Sequence, residues 1–530
     1  MLFTSYEFIG FCIIVLVLYY IIPKKWQWSF LLLASYVFYF LASPIYLIYI
    51  GITTVTVFLA GLILQKKKDS FQQEFSQKKG QLDRQGKKQL KAGEQRKERR
   101  ILLYGLLFNL GILAVIKYTN FGIANINGIL HAFGSGHQLS FVNIIVPMGI
   151  SFYTFQSLGY LIDVYRGKYE AEKNVFKFAL FVSFFPQLVQ GPISRFDDLA
   201  KTLYTPHKLD FQKLSFGLQR ILWGFFKKLV IADRMLIGVN TIIQNPDTYQ
   251  GGFVLAGMLF YALELYADFT GGIDITIGVA EALGIQVTEN FKRPYFSKNI
   301  KEYWNRWHIT MGSWFTDYIF YPLSVSQPMM RFGKFTRKVL GTNLGKRVPV
   351  YLASFVVWFA TGIWHGASWN FIVWGLGNFV VIMVSQELEP LYERFHNRFL
   401  VKGKFWYRLF QVVRTVLLMS CLRMFDCYRD VPLTFRMFGT MFTRFRFSQL
   451  SGGAFLGLGL SGVDYLILFL GCLLLIIVSL CQRSGSVREK ISNKCSPARF
   501  AIWYGLLLAV ILLGIYGIGY DASQFIYNQF

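Results

Sequence analysis

Acidic side chains are scarce in this chain and histidines scarcer: 29 Asp and Glu stand against 55 Lys and Arg, with six His in 530 residues. Cysteine is equally rare. The six present show no C-x-x-C spacing, and Cys12, Cys421 and Cys472 fall inside apolar runs, where a thiol is ordinarily a small buried hydrophobe. Neither a disulfide framework nor a metal site is indicated. The familiar catalytic signatures are missing too: H-E-x-x-H, G-x-S-x-G and the dinucleotide-binding glycine fingerprint do not occur. "GTNLGK" (341–346) resembles a phosphate loop, but it has three residues between its glycines where four are needed. Arg347 also stands where a magnesium-holding Ser or Thr belongs.

What is abundant is apolar surface. The chain is 54% hydrophobic and 18% aromatic, with a mean hydropathy of +0.40. A soluble domain of that composition would be nearly all core, which surface-to-volume scaling does not permit. Apolar runs recur near 7–22, 28–42, 45–64, 101–118, 141–162, 175–190, 213–240, 252–267, 347–364, 369–385, 406–425, 463–481 and 500–519. They predict an all-α polytopic membrane protein of about eleven to thirteen transmembrane and re-entrant segments. The opening "MLFTSYEFIGFCIIVLVLYYIIPKKW" lacks a basic n-region and a small-residue cleavage site, so it reads as a retained first helix. No internal repeat is visible, and residues 1–530 read as one integral membrane domain.

A net charge of +26 is compatible with a nucleic-acid partner, but the cations cluster in short loops between apolar runs, the positive-inside pattern of a protein facing anionic lipid. The stretch 66–100 holds thirteen Lys and Arg against five Asp and Glu and is expected in the cytoplasm, as a solvated helix or a disordered hairpin. The loop 119–140 has no Lys or Arg and is expected outside; 331–347 and 482–499 are basic and expected inside. Alternation then puts the N-terminus and the tail "DASQFIYNQF" outside, and brings His365 to the outer end of its span. Loop 428–446, with four arginines, does not fit this alternation.

Two histidines stand out; His131, His137, His207 and His396 read as ordinary residues of loops and connecting segments. In "NFKRPYFSKNIKEYWNRWHITMGSWF" (290–315), Trp304, Trp307 and His308 are spaced to share one helix face. Lys292, Arg293, Lys298, Lys301 and Arg306 surround them, opposed mainly by Glu302. Such a segment is either an interfacial anchor or a site for an anionic ligand with a planar group, such as a nucleotide-bearing thioester. His365 lies in "TGIWHGASWNF" (361–371), with no acidic residue within ten positions on either side. Burial would keep it neutral, as suits a general base, with Ser368 and Asn370 near in sequence; a structural histidine at a helix end is the alternative. In "YALELYADFTGGIDITIG" (261–278), Glu264, Asp268 and Asp274 surround a Gly-Gly pair expected to break the helix. They could orient a histidine or pair with Arg293 or Arg306, but capping of the broken ends is the favoured role.

These segments resemble the membrane-bound O-acyltransferase family. They are most similar to its bacterial branch containing the membrane subunit of alginate O-acetyltransferase. The likeness runs in order through "VPMGISFYTFQSLGYLIDVYRG", "FFPQLVQGPISRF", "YADFTGGIDITIGVAEALGI", "ENFKRPYFSKNIKEYWNRWHIT" and "GIWHGASWNF" to the ending "FIYNQF". The resemblance implies a ring of helices around a central funnel or tunnel, with the acyl donor entering from the cytoplasm and the acceptor from outside. It makes His365 the catalytic histidine and His308 its polar assistant. Lys292, Arg293 and Arg306 would then steer the donor's phosphates, with the Trp304 and Trp307 indoles as walls, and Asn305 and Asn370 as candidates for orienting or oxyanion roles. The donor would be acetyl-CoA or an acyl carrier protein, with no bound cofactor and no metal. An extracytoplasmic acyltransferase partner would serve an exopolysaccharide or cell-wall glycan. D-alanyl transfer toward lipoteichoic acid and, in another class, a non-catalytic transporter or export channel are the alternatives.

Overall fold

The computed structural model describes residues 3–516, so the tail "DASQFIYNQF" lies outside the described residues. All regular structure within them is helical, apart from one isolated antiparallel bridge between Phe291 and Trp307. Seven helices are long and apolar enough to cross a bilayer: Tyr46–Lys78, Arg84–Ala132, Gly252–Ala282, Gln327–His365, Trp369–Glu387, Gly462–Ser484 and Ser496–Leu513. Helices also occupy most of the remaining apolar runs. The chain is an all-α polytopic membrane protein, organised as two compact units, Met1–Leu214 with Val279–Thr288 and Ser215–Gly278 with Glu289–Phe530.

The first unit contains α1 (Tyr6–Ile21), α2 (Gln27–Ala42), α3 (Tyr46–Lys78), α4 (Arg84–Ala132), α5 (Ile150–Arg166) and α6 (Val175–Ser183). The buried α5 packs on α3 and α4, and α6 packs on α2. The basic stretch 66–100 is an ordered helical hairpin: α3 carries it to Lys78, and α4 restarts at Arg84 behind an Asp83 cap that accepts from the Gly86 N–H at 2.7 Å. The expected outer loop 119–140 is shorter than its composition suggests, because α4 continues to Ala132. The apolar run that follows starts extended. Asn120 and Asn127 each exchange two side-chain hydrogen bonds with it, at Val142 and Leu139, and so substitute for a strand partner. Helix α5 begins only after Gly149, whose φ of 74° and close approach to the Leu188 carbonyl exclude a side chain there.

In the second unit α7 (Phe211–Phe225, within this unit from Ser215) runs through a π-helical turn, Phe226–Ala232, into α8 (Asp233–Gln244). It crosses α9 (Gly252–Ala282, within this unit to Gly278) with no side chain between the backbones. A Cβ on Gly224 would lie 2.6 Å from the Gly271 carbonyl oxygen, and one on Gly278 would lie 2.7 Å from that of Gly217. This corrects the expected break at Gly271–Gly272: the helix is continuous, and Gly271 serves close packing. The acidic residues are not caps either. The π turn brings two successive lysines into the interior, where Lys228 pairs with Asp268 at 2.6 Å and Asp233 at 2.8 Å. Lys227 pairs with Asp274 at 2.5 Å, and Arg220 meets both Asp274 and Glu289. Arg293 and Arg306, the partners expected from sequence, are not used; Arg306 pairs instead with Glu302 at 2.5 Å.

The rest of this unit comprises α10 (Gln327–His365), α11 (Trp369–Glu387), α12 (Phe405–Tyr428), α13 (Val431–Thr443), α14 (Gly462–Cys481) and α15 (Ser496–Leu513). The basic stretch 331–347 is the first part of α10, bent at Gly341 (φ 76°). The awkward segment 428–446 is mostly α13, an amphipathic helix packed on α12.

Candidate active site

His365 closes α10 at a hairpin into α11. The two helices touch backbone to backbone: a Cβ on Gly362 would lie 2.6 Å from the Phe371 oxygen, and one on Gly375 would lie 2.5 Å from the Trp358 oxygen. No side chain separates the helices there, so His365 is held between two indoles, with ring centres 5.0 Å from Trp364 and 4.7 Å from Trp374. The imidazole is 8% exposed. Asn370 is spent on the turn: its amide donates to the Phe425 carbonyl at 3.1 Å, and its oxygen accepts from the Ser368 hydroxyl.

The first motif differs from its expected single helix. The helix Ile300–Trp304 stops at Trp304, and the backbone of 306–309 turns to pair with 290–292. Lys292 N–H donates to the Arg306 carbonyl at 2.9 Å, and Ile309 N–H to that of Asn290 at 3.0 Å. Those contacts take the groups that a continuing helix would have bonded. His308 adopts a left-handed backbone (φ 49°, ψ 52°), as does Arg293 (φ 51°). Non-glycine residues are held there only when their surroundings fix them. Asn290 is the fixing element: its Oδ1 accepts from Thr310 N–H (3.1 Å) and the Thr310 hydroxyl (2.9 Å), and lies 3.3 Å from His308 Nδ1. An amide oxygen can only accept, so Nδ1 is the nitrogen that carries the proton toward Asn290. Complete burial, and secondarily the Arg423 guanidinium, holds the His308 pKa down at about 3, so the ring is neutral at physiological pH.

The two motifs meet. Trp364 lies 5.9 Å from His308 and Trp374 lies 5.9 Å from Trp304, ring centre to ring centre. Among these rings sits Arg423 of α12, ion-paired to Asp426 at 2.7 Å, and both are buried. Neither residue was picked out from the sequence, where "LLMSCLRMFDCY" reads as one more span. A cation and an anion three apart inside an apolar run were the available signal. Asn290 offered none.

The expected donor residues divide. Lys292, Arg293 and Arg306 line a cavity of about 870 Å³ together with Arg220, Lys227 and Arg488 and the carboxylates Asp274 and Glu289. Part of its apolar wall comes from α14 and α15. Trp304 and Trp307 belong to the histidine cluster, and Asn305 is exposed. Phe291 links the two regions: it lines the cavity, with its ring centre 6.4 Å from that of His308. Among the described residues no three His, Cys, Asp or Glu side chains gather as a metal site would require.

Residues 171–337 match the membrane-bound O-acyltransferase family. The chain is 36% identical over 386 residues to a probable alginate O-acetylase of Pseudomonas syringae pv. tomato, covering 71% of this chain and 64% of the relative. It is 34% identical over 391 residues to the probable alginate O-acetylase of Azotobacter vinelandii, covering 73% of this chain and 69% of the relative. The chain belongs to the membrane-bound O-acyltransferase family. A peptidoglycan O-acetyltransferase of Helicobacter pylori is 30% identical over 323 residues, 56% of this chain and 57% of that protein. The matches span about two thirds of the length of the alginate O-acetylases. As a member of this family, the chain is a multi-pass protein of the bacterial cytoplasmic membrane.

Proposed function

We propose that the chain is an O-acyltransferase. It moves an acyl group, acetyl in the first instance, from a cytoplasmic thioester to an extracytoplasmic hydroxyl acceptor, for the modification of a polysaccharide or cell-wall glycan. The observation that carries this reading is the meeting of His308 and His365, with their tryptophans, in one buried cluster. The relatives' names, alginate O-acetylase and peptidoglycan O-acetyltransferase, support the glycan acceptor.

In this reading His365 takes the proton of the acceptor hydroxyl as its oxygen attacks the thioester carbonyl. A C–O bond forms, the C–S bond breaks, and the proton passes to the departing thiolate. His308, protonated at Nδ1, is the assisting group beside the same passage. Lys292, Arg293 and Arg306 meet the phosphates of the donor, acetyl-CoA, on the basic side, and an extracytoplasmic acyltransferase takes the acyl group onward. The reading requires one integral domain with a passage open to both sides of the membrane, ringed by helices. The basic hairpin 66–100 lies in the cytoplasm.

The test is purified protein in nanodiscs with radiolabelled acetyl-CoA and cell-envelope glycan, comparing wild type with His365→Ala. Label transfer in the wild type, reduced at least about a hundredfold in a folded His365→Ala, is the expected result. Equal transfer by both proteins would overturn the assignment of His365. Thioester turnover only with an aminoacylated carrier protein would redirect the donor to the D-alanyl class.

A further inference from the structure

Arg423 belongs to neither histidine motif, yet its guanidinium carbon lies 4.7 Å from the Trp374 ring centre, 5.2 Å from Trp307 and 5.9 Å from Trp304. Trp374 is the indole against His365, and Trp307 is the residue before His308. The cation is therefore one ring away from the His365 imidazole and lies on the indole next in sequence to His308. Its charge is balanced by Asp426, one helical turn on, while its Nε–H is buried with no acceptor, so the ion pair does not use the guanidinium up. Buried ion pairs are weak contributors to stability, and well-packed apolar residues of similar volume often replace them without loss. What an apolar pair cannot supply is direction. A planar cation is attracted to indole faces and fixes where three tryptophans from two separate segments stand.

We infer that Arg423, with Asp426 as its counter-ion, is a positioning residue for acyl transfer: it clamps Trp304 and Trp307 of the first motif to Trp374 of α11, the indole against His365, and so sets the relative placement of His308 and His365. The inference rests on the acyl-transfer reading above, and its test separates the two. Arg423→Met/Asp426→Leu, Arg423→Lys, Asp426→Asn and His365→Ala are compared with wild type, each checked for folding by size exclusion and melting temperature. The double apolar variant is expected to fold with a near-native melting temperature and to lose about a hundredfold in kcat, the scale of an ångström-level misplacement. Its KM for acetyl-CoA stays within about twofold, because the donor cations are untouched.

Arg423→Lys restores the charge without the planar fork and recovers part of that loss. The pH profile supplies a readout that packing alone would not move. Around the His308 ring, Asn290, Phe269, Phe291 and Trp364 carry no charge and Arg423 is the charged neighbour. The double variant removes Asp426 as well, but the cation is the member of the pair that bears on His308, so its loss makes His308 easier to protonate, and an acid-side fall in rate appears at higher pH in the double variant than in Arg423→Lys. A folded double variant with wild-type kcat and pH profile overturns the inference while leaving the reaction standing. Transfer that persists in His365→Ala overturns the reaction itself. If the double variant does not fold, Asp426→Asn and Arg423→Lys decide: both are expected to lose at least about tenfold in kcat at unchanged KM, and wild-type rates in both would overturn the inference.

Discussion

His308 combines three constraints that are each unusual in a histidine: a left-handed backbone, complete burial, and a ring nitrogen aimed at an amide oxygen. Together they keep the ring neutral and pinned, and they have a consequence for stability. The folded-state pKa is depressed to about 3 from an ordinary 6.5. Between those values the unfolded chain binds a proton that the folded chain does not, so stability falls as pH drops through that window. The expected slope from this group is about 1.4 kcal/mol per pH unit. Melting temperatures measured between pH 7 and 4 will fall less steeply in His308→Gln than in wild type; parallel curves would mean that the ring is not buried neutral. Histidine was legible at this scale because it is rare and sits in aromatic runs. Asn290, which fixes His308, was not, because a lone amide in "ENFKRPYF" has neither periodicity nor charge to mark it.

At the scale of elements, the apolar runs predicted the helices, and their glycines explain where the prediction failed. Gly271–Gly272 was read as a break because glycine weakens an isolated helix, whereas in α9 the absent side chain lets α7 approach to contact. The same device fixes the His365 hairpin. The helix expected through Trp304, Trp307 and His308 failed for a complementary reason: a non-local pairing with 290–292 outcompeted local helical periodicity, and a spacing of residues cannot reveal that. A pair of substitutions separates propensity from packing. Gly362→Ala drives a Cβ to 2.6 Å from the Phe371 oxygen and is expected to destabilise by about 1–3 kcal/mol and to slow transfer, because the His365 hairpin must open. Gly111→Ala in α4, where no neighbouring atom lies within 4 Å, is expected to stabilise by about 0.5–1 kcal/mol. Thermal melting of the two variants in one detergent checks both signs; a neutral Gly362→Ala would mean that α10 and α11 are not in backbone contact.

For the whole molecule, the sign of the charge is less informative than where the chain puts it. Helix α4 has 49 residues, about 74 Å at 1.5 Å each, against a hydrocarbon core of about 30 Å. Its basic start, Arg84–Arg100, is therefore free to project beyond the bilayer beside the end of α3. An excess of Lys and Arg in such a hairpin favours the cytoplasmic face, where anionic lipid and the insertion machinery hold positive charge. The second basic loop, 482–499, brings its own reporters, because Cys481 and Cys495 at its edges are exposed thiols. With a membrane-impermeant maleimide, Gln81→Cys in the hairpin turn is expected to stay unlabelled in intact spheroplasts, as are Cys481 and Cys495, and all three should react after permeabilisation. Ser135→Cys, beyond the other end of α4, is expected to react in the intact cells. Labelling of Gln81→Cys from outside would invert the orientation. Lys292, Arg293 and Arg306, proposed above to meet the donor's phosphates, would then lose the cytoplasmic access that this proposal requires.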